Sequence, residues 1–176
     1  DDALAALAEL IRFVGSPERV RVRPDPLVFL ERGGKIITNV PVVEKIIREA
    51  ARHGVRTFST SFMEHYPKVI RRLQKYGFRP KELTFERRRN IIASLSKTAF
   101  KVGANLNTCA VPGFPVSKCI DGELLTCLHP KREPCRVDKA PGQRKLCGCT
   151  HSVDIGWYDM ICRSGCLYCY AQPEEK

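Results

Sequence analysis

Apolar residues recur at helical spacing in four stretches of the chain, and a glycine follows each. In residues 3–14, Leu4, Leu7, Leu10, Ile11 and Val14 share one face, with Gly15 as the stop. Asn39 and Pro41 open the next pattern, whose stripe is Val42, Val43, Ile46, Ile47, Ala50 and Ala51, closed by His53 and Gly54. Residues 65–76 carry Tyr66, Val69, Ile70, Leu73 and Tyr76 before Gly77. Residues 81–102 carry Ile91, Ile92, Leu95, Ala99 and Phe100 before Gly103. Between these helices, residues 19–23, 55–61 and 104–109 read as short strands, the first stopped by Pro24 and Pro26. Helix, glycine and strand in repetition is the pattern of parallel α/β units.

Three such strands cannot close a barrel, and an open sheet of three leaves two unpaired edges. The expectation is therefore an α/β fold, either a partial (β/α) barrel or an open parallel α/β layer. Exposed edges and apolar helix faces also predict self-association, or a missing N-terminal portion that covers them. From residue 110 the periodicity ends. Six of the 12 prolines, six of the 12 glycines and eight of the nine cysteines fall there, with Cys109 at the border. The chain thus divides into parallel α/β units over 1–109 and a cysteine-rich region over 110–176, shaped more by bound metal than by apolar burial.

Composition narrows the function classes. A hydrophobic content of 43% with 28% charged residues reads as globular. No apolar run approaches the roughly 20 residues of a membrane span. The first 14 residues open with two acids and lack a basic stretch, so they do not read as a signal peptide, and a cytoplasmic location follows as the expectation. The net charge of +11 admits nucleic acid as a partner, yet the basic residues are scattered and read first as solvated helix faces. An odd number of cysteines confined to one region argues against a secreted disulfide framework and for metal or cluster ligation. No Ser-His-Asp arrangement, P-loop or dinucleotide fingerprint is present.

The chemistry concentrates in Cys162-Arg-Ser-Gly-Cys166-Leu-Tyr-Cys169. Three thiolates at this spacing can wrap three corners of a [4Fe–4S] cubane from one loop, with Gly165 allowing the tight turn. The fourth iron is then open to a non-protein ligand. Zinc is the rival, because Cys147, Cys149, Cys166 and Cys169 could supply a tetrahedral four-thiolate site.

These residues also carry a resemblance. Cys119-Ile-Asp-Gly-Glu-Leu, then Cys147-Gly-Cys149, then Ser152-x-Asp154-Ile-Gly-x-Tyr158 leading into Cys162, Cys166, Tyr168, Cys169, Tyr170 and Ala171 resemble a family of functionally uncharacterised microbial proteins. The C-terminal cysteine cluster of that family is similar to that of radical S-adenosylmethionine (SAM) enzymes. Upstream, Arg23-Pro24-Asp25-Pro26 and Thr108-Cys109-Ala110 are similar to further elements of the family. The resemblance implies a [4Fe–4S] cluster on Cys162, Cys166 and Cys169 that reductively cleaves SAM to act on an unknown substrate, fed by a reductant such as a ferredoxin or flavodoxin. It also marks Cys109, Cys119, Cys147 and Cys149, which are enough for a second closed cluster or for structural zinc, or are inert thiols. Members of the family carry further strands before the point where this chain starts, so a C-terminal portion is expected. SAM binding rests on the resemblance alone, since only seven residues follow Cys169.

The polar candidates keep two readings each. Arg23 with Asp25 is either an ion pair at a strand end or a contact to substrate or SAM. Asp121 and Glu123 are ligand contacts, or Asp121-Gly122 is a turn. Asp154 to Tyr158 reads as a packed loop shielding the cluster. Cys127 and Cys135 fall outside the resemblance, and His129 and His151 are weaker metal candidates. The alternatives to SAM chemistry are a redox or structural iron–sulfur protein and a basic zinc-binding module for nucleic acid.

Overall fold

A computed structural model describes residues 2–153, 156, 161–162 and 164–173, with the side chains of Asp2, Ile161, Cys162, Gln172 and Pro173 outside the description. The segment from Asp154 to Tyr158, read above as a shielding loop, falls outside it except for Gly156. The architecture is mixed α/β with small sheets. In order it runs α1 (Asp2–Ala5), α2 (Leu7–Val14), β1 (Phe29–Arg32), β2 (Lys35–Thr38), α3 (Val40–Arg52) and β3 (Thr57–Thr60). There follow α4 (Pro67–Lys75), β4 (Arg79–Pro80), α5 (Phe85–Lys101), β5 (Asn105–Thr108), α6 (Gly122–Leu128), β6 (Ile161–Cys162) and β7 (Gln172–Pro173).

β3 and β5 pair in parallel, in register from Thr57 opposite Asn105 to Thr60 opposite Thr108. Single parallel bridges extend this layer: Val22 to Phe58 and Leu27 to Phe62 on one side, and Thr108 to Val116 on the other. The described residues close no barrel. The first expected strand is shorter than its alternation suggested. Pro17 sets φ for a 3₁₀ turn over Pro17–Arg19, capped by the Ser16 hydroxyl, so only Val22 reaches the layer. Arg19, in that turn, donates to the carbonyl of Leu128 at the end of α6, 2.6 Å away.

The core lies where the helices cover this layer. Val43, Ile47 and Ala50 of α3, with Leu95 and Ala99 of α5, meet Val55, Phe58 and Leu106 in one buried cluster. Phe100, expected to face inward, is 81% exposed. Residues 91, 92, 95 and 99 already define the buried stripe of α5, and the next residue turns about 100° away from position 99. Thr84, not residue 81, starts α5, because its hydroxyl accepts from the Arg87 amide at 3.2 Å while Arg79–Pro80 pairs with β1.

Three further features depart from the sequence reading. β1 and β2 form an antiparallel hairpin around Gly33-Gly34, both with positive φ, the pair a two-residue I′ turn requires. Asn39 does start α3, but its side chain makes no cap. Its Oδ1 accepts from the Val28 amide at 2.8 Å and its Nδ2 donates to the Pro26 carbonyl at 2.9 Å, which pins the segment after the first strand. Asp121-Gly122 is not an isolated turn. The Asp121 carboxylate accepts from the Leu124 amide at 3.3 Å and caps α6, so the cysteine-rich region contains a helix where no periodicity was read.

Candidate functional site

The C-terminal ends of the parallel strands collect the polar residues. Past the Val22 bridge, Arg23 Nη2 donates to Asp25 Oδ2 at 2.9 Å, and Ser61, next after β3, donates to Asp25 Oδ1 at 2.5 Å. Thr60, fully buried, donates to the Pro24 carbonyl at 2.8 Å and fixes this segment against β3. Asp25 is thus held on both oxygens, and it holds Arg23 in turn. The ion-pair reading of Arg23 and Asp25 is correct as far as it goes, but both residues also line an open cavity of about 740 Å³.

Opposite Arg23 stands Cys119. Arg23 Nη1 donates to its sulfur at 3.2 Å, and the hydroxyls of Ser59 and Ser117 lie 3.4 and 3.5 Å from it. Cys109, buried just past β5, completes the ring with a hydrogen bond from its own thiol. That bond, with the two hydroxyls and the Arg23 charge, outweighs burial and brings the Cys119 thiol down to about 4, a thiolate at neutral pH. The same bond and its burial hold the proton on Cys109, whose pKa is raised. Burial would lower the pKa of the Arg23 guanidinium, but the charges of Cys119 and Asp25 prevail and raise it.

Cys147 and Cys149 form a second thiol pair beside the first, both lining the cavity. Burial pushes the Cys149 thiol up, against the Ile120 amide that donates to its sulfur at 3.4 Å. Gly148 between them packs so closely on the 116–117 segment that a Cβ there would lie 2.6 Å from the Ser117 carbonyl oxygen. The four cysteines marked by the resemblance are therefore brought together, as two pairs. Among the described residues no three His, Cys, Asp or Glu side chains are arranged to hold one metal ion. Around a single zinc, thiolates stand about 3.8 Å from one another, as tetrahedral 2.3 Å bonds require.

The C-terminal loop docks on the same side of the layer. Arg72 of α4 donates to the carbonyls of Cys169 at 2.8 Å and Leu167 at 3.4 Å. The Tyr170 hydroxyl accepts from the Glu64 amide at 2.7 Å, and its ring meets Tyr66 edge-on with centroids 5.2 Å apart. Leu167, Tyr168 and Tyr170 pack on a second core cluster of Val28, Leu30, Met63, Val69 and Leu73. Burial and the charges of Cys166, Cys169 and Asp25 raise the Tyr168 phenol. Within the loop, the Cys169 amide donates to the Cys166 carbonyl at 3.0 Å, Gly165 turns with φ 63°, and the Ala171 amide donates to Cys169 Sγ at 3.3 Å. Cys166 and Cys169 are half-buried. The side chain of Cys162 lies outside the described residues.

The remaining candidates stand apart. Asp121 caps α6, and Glu123 pairs with Lys118 at 2.8 Å on the surface; neither lines the cavity. Cys127 and Cys135 are exposed. His129 Nδ1 accepts from the Glu133 amide, and His151 lies beside Arg136 and Asp138. The cavity is also lined by Arg21, Gln143 and Arg144, which the sequence did not single out, and by Glu64, just past β3, and Tyr170 of the C-terminal motif. Arg21 was visible as one of three alternating arginines, but residues 140–144 carry no periodic signal. No helix among the described residues is long and apolar enough to cross a membrane.

No curated protein and no solved structure matches the chain. The family model of DUF1848, a domain of unknown function, matches residues 1–171, and the chain belongs to that family.

Proposed function

We propose that the protein is an iron–sulfur protein of radical SAM type, with a [4Fe–4S] cluster on Cys162, Cys166 and Cys169 and its substrate in the cavity at the strand ends. One observation carries this reading: the cysteine loop is tied by Arg72 and Tyr170 to the edge of the layer where Asp25, Ser61 and Glu64 line that cavity. In this reading the parallel strands are units of a (β/α) barrel, whose C-terminal face is where chemistry gathers.

The loop suits the cluster on its own chemistry. Gly165 allows the chain to curve around an inorganic core, and the Ala171 amide donates to Cys169 Sγ, the kind of hydrogen bond that stabilises a cluster thiolate. A [4Fe–4S] cluster held by Cys162, Cys166 and Cys169 would supply the single electron that reductive cleavage of SAM requires. The chain's own residues position the reactants. Asp25, fixed by Arg23 and Ser61, and Glu64 offer acceptors to cationic or hydroxyl groups. Arg21 and Arg144 offer donors to anionic ones. The electron comes from an external donor of ferredoxin or flavodoxin type, and free thiols at this density suit the reducing cytoplasm.

Anaerobic purification with iron, sulfide and zinc analysis tests the reading. The expected result is brown protein with about four irons and four labile sulfides per chain at the tail site. Colourless protein with stoichiometric zinc and no labile sulfide would overturn it.

A further inference from the structure

We propose that Cys119 and Cys109 form a dithiol centre that exchanges with small carboxylate-bearing disulfides entering the cavity and closes into a Cys109–Cys119 disulfide. The inference is independent of the cluster, whose ligands lie in the C-terminal loop.

Geometry first places the two sulfurs together. The bridge from Thr108 to Val116, with the Thr108 amide donating to Pro115 at 2.9 Å and the Ser117 amide to Thr108 at 2.8 Å, lays the segment before Cys119 alongside the end of β5. Cys109 follows that end directly, and its thiol lies beside that of Cys119, each sulfur also meeting a guanidinium, Arg144 at 3.5 Å for Cys109 and Arg23 at 3.2 Å for Cys119. Their environments differ in the way an attacking and a resolving thiol require. Cys119 lines the large cavity, whereas Cys109 is 4% exposed and sits behind it. Arg23 donates to the Cys119 sulfur and is itself fixed by Asp25, while the Ser59 and Ser117 hydroxyls lie 3.4 and 3.5 Å from the same sulfur. Such a sulfur is a prepared nucleophile. The cavity wall supplies the recognition. Arg21 and Arg144 face the same space, and Arg144 Nη2 comes within 3.5 Å of Cys109 Sγ, so carboxylates of an incoming disulfide meet guanidinium donors next to the reacting sulfurs.

The exchange balances without any further reactant. The Cys119 thiolate attacks one sulfur of the disulfide, breaking its S–S bond, expelling one thiolate and leaving a mixed disulfide on Cys119. Cys109 then attacks Cys119 Sγ. The Cys109–Cys119 bond forms, the second half of the ligand leaves, and the Cys109 proton goes to that leaving thiolate. The protein gives up two electrons and the small disulfide takes them; an external thiol reverses the sequence.

Full-length, anaerobically purified protein is treated with oxidised glutathione, or with the neutral disulfide of 2-mercaptoethanol at equal concentration, then alkylated and mapped by peptide mass spectrometry. The absorbance of any bound cluster is followed in the same samples. The expected product is a peptide linked through Cys109 and Cys119, formed about tenfold faster with glutathione, whose carboxylates the arginines attract. Cys109→Ser should stop at one glutathione adduct on Cys119, Cys119→Ser should give neither product, and Cys127→Ser should behave as the parent. Colourless protein that still forms the link would sink the cluster reading and leave this one standing. Adducts scattered over the exposed Cys127 and Cys135 with no linked peptide in the parent protein would overturn the proposal. So would iron or zinc that shields Cys109, Cys119, Cys147 and Cys149 together from alkylation.

Discussion

Arg72 Nη1, in the last turn of α4, donates to the carbonyl oxygen of Cys169 at 2.8 Å. A side chain on a helix of the α/β layer thereby holds the main chain of the cysteine loop, 97 positions away in the sequence. Among the described residues, the hydrogen bonds within the loop are local, from the Cys169 amide to the Cys166 carbonyl and from the Ala171 amide to Cys169 Sγ, so Arg72 adds a long-range tie.

Arg72→Ala is expected to loosen that loop without unfolding the layer. The lost bond is charge-assisted and worth about 1.5 kcal/mol, or about tenfold in the opening equilibrium. Hydrogen exchange at residues 166–171 should accelerate by that factor while exchange in β3 and β5 stays unchanged. Equal acceleration in both places would show that Arg72 supports the whole fold.

Cys166→Ala is expected to remove the broad visible absorbance of anaerobic protein, and Cys127→Ala and Cys135→Ala to leave it. Cys166 shares a turn with Cys169, whereas Cys127 and Cys135 are exposed outside the loop. Ultraviolet–visible spectra of the three variants decide it, and equal loss in all three would refute the ligand set.

The helices were legible because each buries one stripe, and a stripe leaves a period in the sequence. Val43, Ile47 and Ala50 are buried as that period requires. The hairpin was legible too, from Phe29-Leu30 and Ile36-Ile37 flanking Gly33-Gly34, a signal the α/β reading passed over. Other features are tertiary and leave no local mark. Asn39 reads as a cap in any single window, and only the position of Val28 diverts its side chain. The Cys119 site takes Arg23, Ser59, Cys109 and Ser117 from four chain segments, so spacing gave positions for its thiols but neither their pairing nor the donors. The cavity wall over 140–144 lacks periodicity altogether.

Gly148→Ala is expected to destabilise the fold by about 2 kcal/mol, in the range for overpacking. A Cβ at this position would meet the Ser117 carbonyl oxygen at 2.6 Å and Val116 Cγ1 at 2.7 Å, so main chain must move on one side. Calorimetry should show Tm lower by about 4–8 °C for a chain of this size. Because the shift separates the 147–149 segment from Ser117 and Cys119, thiol reactivity at Cys119 should change while the tail cysteines keep theirs.

Cys119 should react with iodoacetamide at a rate almost independent of pH between 6 and 9. An ordinary cysteine, with a pKa of about 8.5, gains about tenfold per pH unit below that value. With its pKa near 4, Cys119 is already a thiolate throughout this range. The same difference sets the sign for stability. Between about pH 4 and the unfolded value the unfolded chain binds one more proton at this site, so its contribution grows as pH rises and is lost as pH falls toward 4. Melting curves of the parent and Cys119→Ala should therefore diverge toward pH 8 and converge toward pH 4. A constant gap would mean the sulfur stays protonated in the fold.

The reduced, cluster-loaded protein is expected to bind SAM at one iron. Cys162, Cys166 and Cys169 offer three thiolates for four irons, so the remaining iron is free to take the amino and carboxylate groups of SAM. The affinity beyond that iron must come from contacts to the adenosine and methionyl parts. The cavity that would take them is open, and charged residues (Asp25, Glu64, Arg21 and Arg144) line it along with Tyr66, Ile120 and Tyr170. Binding energy should therefore be small beyond the metal contact, giving weak affinity. Electron paramagnetic resonance of the reduced cluster, with and without excess SAM, reads the iron directly, and chromatography of the same mixture reads 5′-deoxyadenosine. A spectrum altered by SAM with 5′-deoxyadenosine formed is the expected pair of results. A spectrum unchanged at saturating SAM, in protein carrying a full complement of iron and sulfide, would leave an iron–sulfur protein whose cluster moves electrons without SAM.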